Sequence, residues 1–363
     1  MSDPTGDRRL LWAMQQGQRP WRELYWLSLM PGTQVTAVGS PRPPEQVEFV
    51  PSRYRQPTDR FIEAGAFAWL RDLGAVGPSY DWYSALEPFS LVTGQVARLA
   101  RRRRARLAVL MWHNFAQTPL YRLPPYRQAW QASRGADFYL CLIEAARRHI
   151  VEDMGVPAEL CETVHPGVDV RTFTPPDEPQ SEPVLAFVSP LRPSKGLDRV
   201  LEALALVRRE VPETRLVIAG TGDDEPLARR AAEQDDGVTY VGALPPAGVA
   251  DLLRRSAVFV TAPRPTRVWN EQFGLVYLEA MACGLPVVTT ACGTNHEAVP
   301  PPNARTVDDA EALAEALVPL LTDPARRAAV GCANRAYVVE RHDVVTQAQR
   351  MGEAFGRAEA RLS

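Results

Sequence analysis

The stretch Glu271-Gln272-Phe273-Gly274-Leu275-Val276-Tyr277-Leu278-Glu279-Ala280-Met281-Ala282-Cys283-Gly284 carries two carboxylates, Glu271 and Glu279, eight positions apart with a Phe-Gly break between them. Good helix formers follow Gly274, and Gly284 and Pro286 end the run before Val287, Val288, Thr289 and Thr290, which have strand composition. The pattern is loop, helix, strand. A helix beginning near Gly274 turns its first unpaired N–H groups toward the loop, and such an end attracts phosphate. Gly274 lets that phosphate approach the backbone. Glu279 falls within a helix otherwise built for burial, so its carboxylate needs a partner, and sugar or ribose hydroxyls would serve. The plainer alternative is a buried helix with two incidental glutamates.

Lysine usage gives an independent signal. Of 41 Lys and Arg residues only Lys195 is lysine. It sits in Ser189-Pro190-Leu191-Arg192-Pro193-Ser194-Lys195-Gly196-Leu197-Asp198, after a predicted strand Val184–Val188 and before a predicted helix Leu197–Val207. Strand-loop-helix junctions are where α/β proteins bind ligands. A compact ammonium suits a tight phosphate site in a way that the planar guanidinium does not.

The rest of the chain alternates in the same rhythm. Strands are expected at 10–14, 34–38, 47–50, 82–85, 107–112, 138–142 and 162–165, with helices at 21–29, 59–73, Leu91–Arg103 and 143–154. A Pro- and acid-rich linker, 174–183, follows. Strands then recur at Val184–Val188, Arg215–Ala219, 238–241, 258–261 and 286–290, and helices at 310–321, 325–340 and 344–359. Such alternation predicts two α/β domains, each a doubly wound parallel sheet. A length of 363 residues suffices for two cores.

These segments resemble the retaining nucleotide-sugar glycosyltransferases of the GT-B fold, glycosyltransferase family 4. The resemblance implies two Rossmann-like domains with a cleft between them: an acceptor-side domain over 1–175, a donor domain over 176–342, and a terminal helix, 343–363, crossing back to the first domain. It implies transfer of a hexose from a nucleotide diphosphate sugar to a hydroxyl acceptor with retention of configuration. Its alternative is a degenerate member that binds a sugar nucleotide or a partner protein without catalysis. Glu271 would touch donor-sugar hydroxyls and Glu279 the ribose, with Phe273, Gly274 and Leu275 lining sugar and phosphate. Lys195 would hold the diphosphate; Ser189 and Pro190 replace the family's Gly and Arg, leaving Arg192 as the nearby guanidinium. Gly220 and Gly222 would line the donor site. Because residue 225 is Glu225 rather than glycine, this pair is no dinucleotide fingerprint. Val241 would lie beside the base, and Gly17 in the first βα loop on the acceptor side. His113, just past its strand, is the leading catalytic candidate together with Glu271, hydrogen-bonding the reacting sugar or orienting the acceptor.

Smaller signals complete the picture. Val164-His165-Pro166-Gly167-Val168-Asp169 resembles the segment that ends the family's first domain, with His165 structural. Gly293-Thr294-Asn295-His296-Glu297 is either a further donor loop or a helix start. Arg101, Arg102, Arg103, Arg104 and Arg106 are either favourable charge at a helix C-terminus or a patch for an anionic membrane surface. A net charge of −2 argues against nucleic acid. No Asp-x-Asp occurs, so metal-independent chemistry with no cofactor beyond the nucleotide sugar is expected. Five cysteines without a Cys-x-x-Cys pair, a polar N-terminus and no long apolar run lead to the expectation of a cytoplasmic protein with free thiols, able to sit peripherally at the inner face of the membrane.

Overall fold

The structure, a computed structural model, describes residues 7–14, 22–43, 47–55, 69–77, 80–114, 123–178, 180–267, 269–307 and 309–363. The chain divides into two compact units, 1–167 with 344–363, and 168–343.

In the first unit the strands are β1 (Arg8–Ala13), β2 (Thr33–Gly39), β3 (Glu48–Pro51), β4 (Tyr54–Arg55), β5 (Trp69–Leu70), β6 (Trp82–Leu86), β7 (Arg106–Met111), β8 (Phe138–Cys141) and β9 (Cys161–Thr163). Seven of them form a parallel sheet in the order β3-β2-β1-β6-β7-β8-β9, and β4 and β5 pair antiparallel. The order reverses at β1, as in doubly wound sheets. Its helices are α1 (Arg22–Ser28), α2 (Leu91–Arg103), α3 (Pro124–Ser133) and α4 (Glu144–Arg148). α2 runs over the expected residues because Ser90 caps it, the hydroxyl accepting from the Thr93 amide.

Two expected helices differ. Of 59–73, residues 59–68 lie outside the described residues, and the remainder is β5 and a 3₁₀ turn, Leu73–Ala75. The Gln95 side chain takes over both backbone groups of Leu70, donating to its carbonyl at 2.8 Å and accepting its amide at 2.9 Å, in place of helical bonds. The helix expected over 143–154 narrows to α4 and continues as a π-helix, His149–Asp153, whose ends are joined by His149 Nδ1 and Asp153 Oδ2 at 2.7 Å.

The second unit has β10 (Val184–Val188), β11 (Arg215–Ala219), β12 (Val238–Tyr240), β13 (Val258–Val260), β14 (Val287–Thr290) and β15 (Ala304–Thr306), all parallel in the order β12-β11-β10-β13-β14-β15. Its helices are α5 (Leu197–Val207), α6 (Glu225–Gln234), α7 (Pro246–Arg254), α8 (Leu275–Ala282), α9 (Ala310–Thr322) and α10 (Pro324–Arg341). The central strands β10 and β13 are continuous buried apolar runs because both faces are covered, whereas the edge strands β12 and β15 carry polar residues. This unit begins eight residues before the expected boundary at 176, and arginines explain why. The Arg335 guanidinium donates to the carbonyls of Phe173 (2.6 Å) and Val170 (2.9 Å), Arg254 donates to that of Thr172, and the Val168 amide donates to His342.

The last helix, α11 (Val344–Leu362), belongs to the first unit. Val344, Gln347, Ala348, Met351, Ala354, Phe355 and Ala358 form its buried stripe at helical spacing. Phe355 meets Trp82 and Phe138 edge-on, each at 5.2 Å, a burial worth on the order of 2–3 kcal/mol. Glu359 accepts from Arg8 Nε at 2.7 Å and from Trp82 Nε1 at 2.8 Å. Among the described residues no helix is long and apolar enough to cross a membrane. Cys141, Cys161, Cys283 and Cys292 are buried, while Cys332 is exposed.

Burial alone would raise the Glu359 acid, but Arg8 and Trp82 hold it below its ordinary value of 4.5. Folding therefore favours the ionised form. The resulting stability is present in full above about pH 4.5 and fades as pH falls below it. Glu359→Gln is expected to lower stability by about 1 kcal/mol at neutral pH, a figure discounted for partial exposure. Urea denaturation of both proteins at neutral and at acid pH checks this, and an unchanged gap at acid pH contradicts it.

Candidate functional site

The loops at the carboxyl ends of the second sheet are joined backbone to backbone. The Gly220 amide donates to the Gly242 carbonyl at 2.7 Å, the Leu191 amide to Thr221 at 2.9 Å, and the Ala262 amide to Lys195 at 3.4 Å. Glycines make the approach possible. A Cβ on Gly196 would lie 1.9 Å from the Ala262 oxygen, on Gly220 1.9 Å from that of Ser189, and on Gly222 2.3 Å from that of Leu191. Arg192 opens the 3₁₀ turn Pro193–Lys195 and its carbonyl accepts the Lys195 amide at 2.8 Å. Arg264 braces this turn, donating from Nε to the Pro193 carbonyl and from Nη2 to both oxygens of Asp198 at 2.6 and 2.7 Å. Burial would raise the Asp198 acid, but this guanidinium keeps it below the usual carboxylate range.

Lys195 thereby reaches Glu271. Its Nζ lies 2.6 Å from Glu271 Oε2, with the two side chains only 16% and 10% exposed. The Trp269 ring lies 4.5 Å from the ammonium, a cation–π contact. Glu271 is fixed from behind: its carbonyl accepts the Thr294 amide at 2.9 Å, and the Thr294 hydroxyl donates to the Gln272 carbonyl. Gly293 stands so close that a Cβ would lie 2.1 Å from the Glu271 oxygen. Gly293 and Thr294 thus brace Glu271 from behind, and the helix start expected over 293–297 is a 3₁₀ turn, Asn295–Glu297.

α8 starts at the left-handed Gly274, φ 80°, and no side chain caps it. Its first turn leaves backbone donors of the kind that bind anions. Leu275 is the first helical residue. Phe273 is fully buried, its ring 5.9 Å from that of His342, so its side chain anchors the loop and only its backbone can face a ligand. Glu279 is half-buried between Leu278 and Ala280. The Tyr277 hydroxyl meets those of Thr261 (3.3 Å) and Thr289 (3.2 Å); burial, then the charge of Glu271, pushes its phenol well up. The Val241 amide donates to Ile218 while its side chain is exposed. Within the second unit, the sequence-derived residues therefore fall on one connected set of loops and one helix start.

His113 belongs to the first unit, just past β7, buried between Phe89 (ring centroids 5.8 Å apart) and His149 (5.3 Å). Gly17 lies outside the described residues. Of the arginine run, Arg103 donates to the carbonyl of Val76 and the hydroxyl of Tyr83, and Arg106 stacks on Trp82, whereas Arg101, Arg102 and Arg104 are exposed. Sequence reasoning missed Trp269, whose only signal was an aromatic two residues before Glu271. It also missed Glu87, a carboxylate just past β6 in the position that drew attention to His113 past β7. Among the described residues no group of three or more His, Cys, Asp or Glu could hold a metal ion.

Two parallel-sheet units, the second carrying a lysine–glutamate pair and an open helix start at its strand ends, define the class of GT-B glycosyltransferases. Solved structures share this fold: Anabaena HepE in complex with UDP and glucose at a TM-score of 0.75 and 19% identity, over 96% of this chain and 99% of that one, and sucrose-phosphate synthase from Thermosynechococcus elongatus at 0.73 and 19%, over 98% and 100%. Residues 182–323 match the family described as glycosyl transferases group 1. The chain is 32% identical over 303 residues to the GDP-mannose-dependent alpha-(1-6)-phosphatidylinositol monomannoside mannosyltransferase of Mycolicibacterium smegmatis, covering 77% of each. It is 33% identical over 303 residues to the D-inositol 3-phosphate glycosyltransferase of Kribbella flavida, covering 73% of this chain and 69% of that one. A GDP-mannose-dependent monoacylated alpha-(1-6)-phosphatidylinositol monomannoside mannosyltransferase of Corynebacterium glutamicum is 37% identical over 190 residues, 47% of this chain and half of that one. The chain belongs to the glycosyl transferases group 1 family.

Gly293→Ala should be more damaging than Gly32→Ala. Gly32 has φ +60° with nothing within 4 Å, so its replacement isolates the left-handed backbone cost, about 1–2 kcal/mol. Gly293→Ala adds the clash with the Glu271 carbonyl, for roughly 3 kcal/mol in all. Equal losses in urea denaturation would contradict the brace.

Proposed function

We propose that the chain transfers a hexose from a nucleoside diphosphate sugar to a hydroxyl acceptor, with retention at the anomeric carbon and without a metal ion. The observation that carries this reading is the Lys195–Glu271 pair beside the uncapped start of α8. It offers a cation and backbone donors for a diphosphate next to a carboxylate for sugar hydroxyls. GDP-mannose is the first donor to test, because the names of two relatives specify it. The acceptor proposed first is a hydroxyl of an inositol-containing compound, the class those names share with the Kribbella enzyme.

In this mechanism Lys195, Arg192 and the first-turn amides of α8, Leu275 foremost, hold the diphosphate, and Gly220, Gly222, Phe273 and Gly274 let it approach the backbone. Glu271 takes the hexose hydroxyls, Glu279 the ribose, and Val241 stands beside the base. The bond from the anomeric carbon to the diphosphate oxygen breaks as the acceptor oxygen attacks from the same face. The acceptor's proton passes to the departing diphosphate, whose charge Lys195 and the helix start stabilise. His113 hydrogen-bonds the reacting sugar. If the acceptor is lipid-borne, the exposed Arg101, Arg102 and Arg104 supply attraction to an anionic surface.

Lys195→Ala should leave the fold intact and weaken donor binding by on the order of 2–4 kcal/mol. Glu279→Gln should weaken binding of both free nucleoside diphosphate and intact donor. Glu271→Gln should cut transfer yet leave nucleoside diphosphate binding equal or tighter, since Lys195 loses its competing partner. Calorimetry with GDP alone, alongside transfer assays, separates the three. Parallel losses of GDP affinity in the Glu271 and Glu279 variants overturn the division of roles, and tight donor binding without turnover would favour the binding-only reading.

Excess EDTA should leave transfer essentially unchanged, because fixed cationic groups and amides meet the diphosphate charge. Loss of activity with chelator and its return with manganese or magnesium would refute the metal-free part.

A further inference from the structure

We propose that Glu87 is the positioning residue for His113, its carboxylate fixing the turn after β7 on which the histidine stands. This rests on the reading of His113 as a partner of the reacting sugar.

The geometry at the end of β6 is unusual in three ways that converge. Glu87 adopts a left-handed backbone, φ 61°, a conformation uncommon for residues other than glycine and concentrated at functional sites. Its backbone is locked there, the amide donating to Leu110 at 2.8 Å and the carbonyl accepting from Ser90 at 3.2 Å. Its side chain turns to the neighbouring strand end, where Oε1 accepts the Trp112 amide at 2.9 Å and the His113 amide also faces the carboxylate. Among the described residues, the buried Oε2 has no hydrogen-bond partner.

A carboxylate does what an amide cannot: it changes its strength as an acceptor when it gains a proton. Burial, with the Glu23 charge adding and the two amides opposing, raises the Glu87 acid to about 7. The titratable groups around it are Glu23 of α1, which accepts Trp112 Nε1 at 2.9 Å, His113 itself, Cys141 of β8, and His149 of the π-helix with Asp153 behind it. Above about pH 7 the ionised Glu87 grips the Trp112–His113 backbone; below it the neutral acid holds less firmly. His113 is thus placed for the reaction by a group in a different strand loop.

The test follows the Trp112 backbone amide, which donates to Glu87 Oε1, in the full chain isotope-labelled at tryptophan, by nuclear magnetic resonance from about pH 5 to about 8, assigned with Trp112→Phe and repeated in His113→Gln so that the neighbouring imidazole does not contribute. The expected wild-type curve carries an inflection near 7 that Glu87→Gln abolishes. In the same variant kcat should fall about tenfold with the donor KM unchanged, and the loss of kcat below neutral pH should disappear. Glu23→Gln serves as a second variant should Glu87→Gln not fold; removing the neighbouring charge must shift the inflection to lower pH. An identical Trp112 amide curve in Glu87→Gln, or no shift in Glu23→Gln, overturns the proposal. If the inflection behaves as expected but His113→Ala transfers sugar at the wild-type rate, the hold of Glu87 on the turn stands and the catalytic reading of His113 falls.

Discussion

Carbonyl oxygens pressed against glycines set the geometry of the second unit. The oxygens of Ala262, Ser189, Leu191 and Glu271 each occupy the space that a Cβ would need on Gly196, Gly220, Gly222 and Gly293. With no side chain between them, loops after four strands close to backbone distance, and the Lys195–Glu271 contact at 2.6 Å becomes possible. Any residue with a Cβ at these points would move a loop rather than merely add volume, because the neighbour is backbone and cannot rotate away. Positive φ at all four glycines adds a second reason for the same choice.

The sequence was most legible where one residue type does a job others cannot. A lone lysine, a Phe-Gly break and two carboxylates at fixed spacing are chemical statements that survive without a structure. Strand-helix alternation likewise placed both parallel sheets, since buried parallel strands must be apolar throughout. The conversion of 59–73 at its end into β5 was not legible, because Gln95, over twenty residues away, supplies the deciding hydrogen bonds. Trp269 and Glu87 escaped for a related reason. Their importance lies in what another loop places beside them, a contact that no local pattern encodes.

The arginines illustrate the same limit. By composition they are surface charge, yet several act as backbone glue. Arg335 and Arg254 bind carbonyls of the 170–173 segment and so decide where the second unit begins. Arg264 ties the lysine turn to α5, and Arg8 ties β1 to α11. A guanidinium can satisfy two or three carbonyls or a carboxylate at once, which a chain almost devoid of lysine can exploit repeatedly. Such roles emerge only with the fold.

The mutual pairing of Lys195 and Glu271 offsets the charge of each side chain within the second unit. A bare anion that captured the lysine would strand a carboxylate only 10% exposed, at a cost of about 1–3 kcal/mol. On the proposed roles, compensation comes from a molecule presenting negative charge and hydroxyl groups together. On the roles proposed for Lys195 and Glu271, the pair works as a coincidence detector that favours the intact donor over inorganic phosphate.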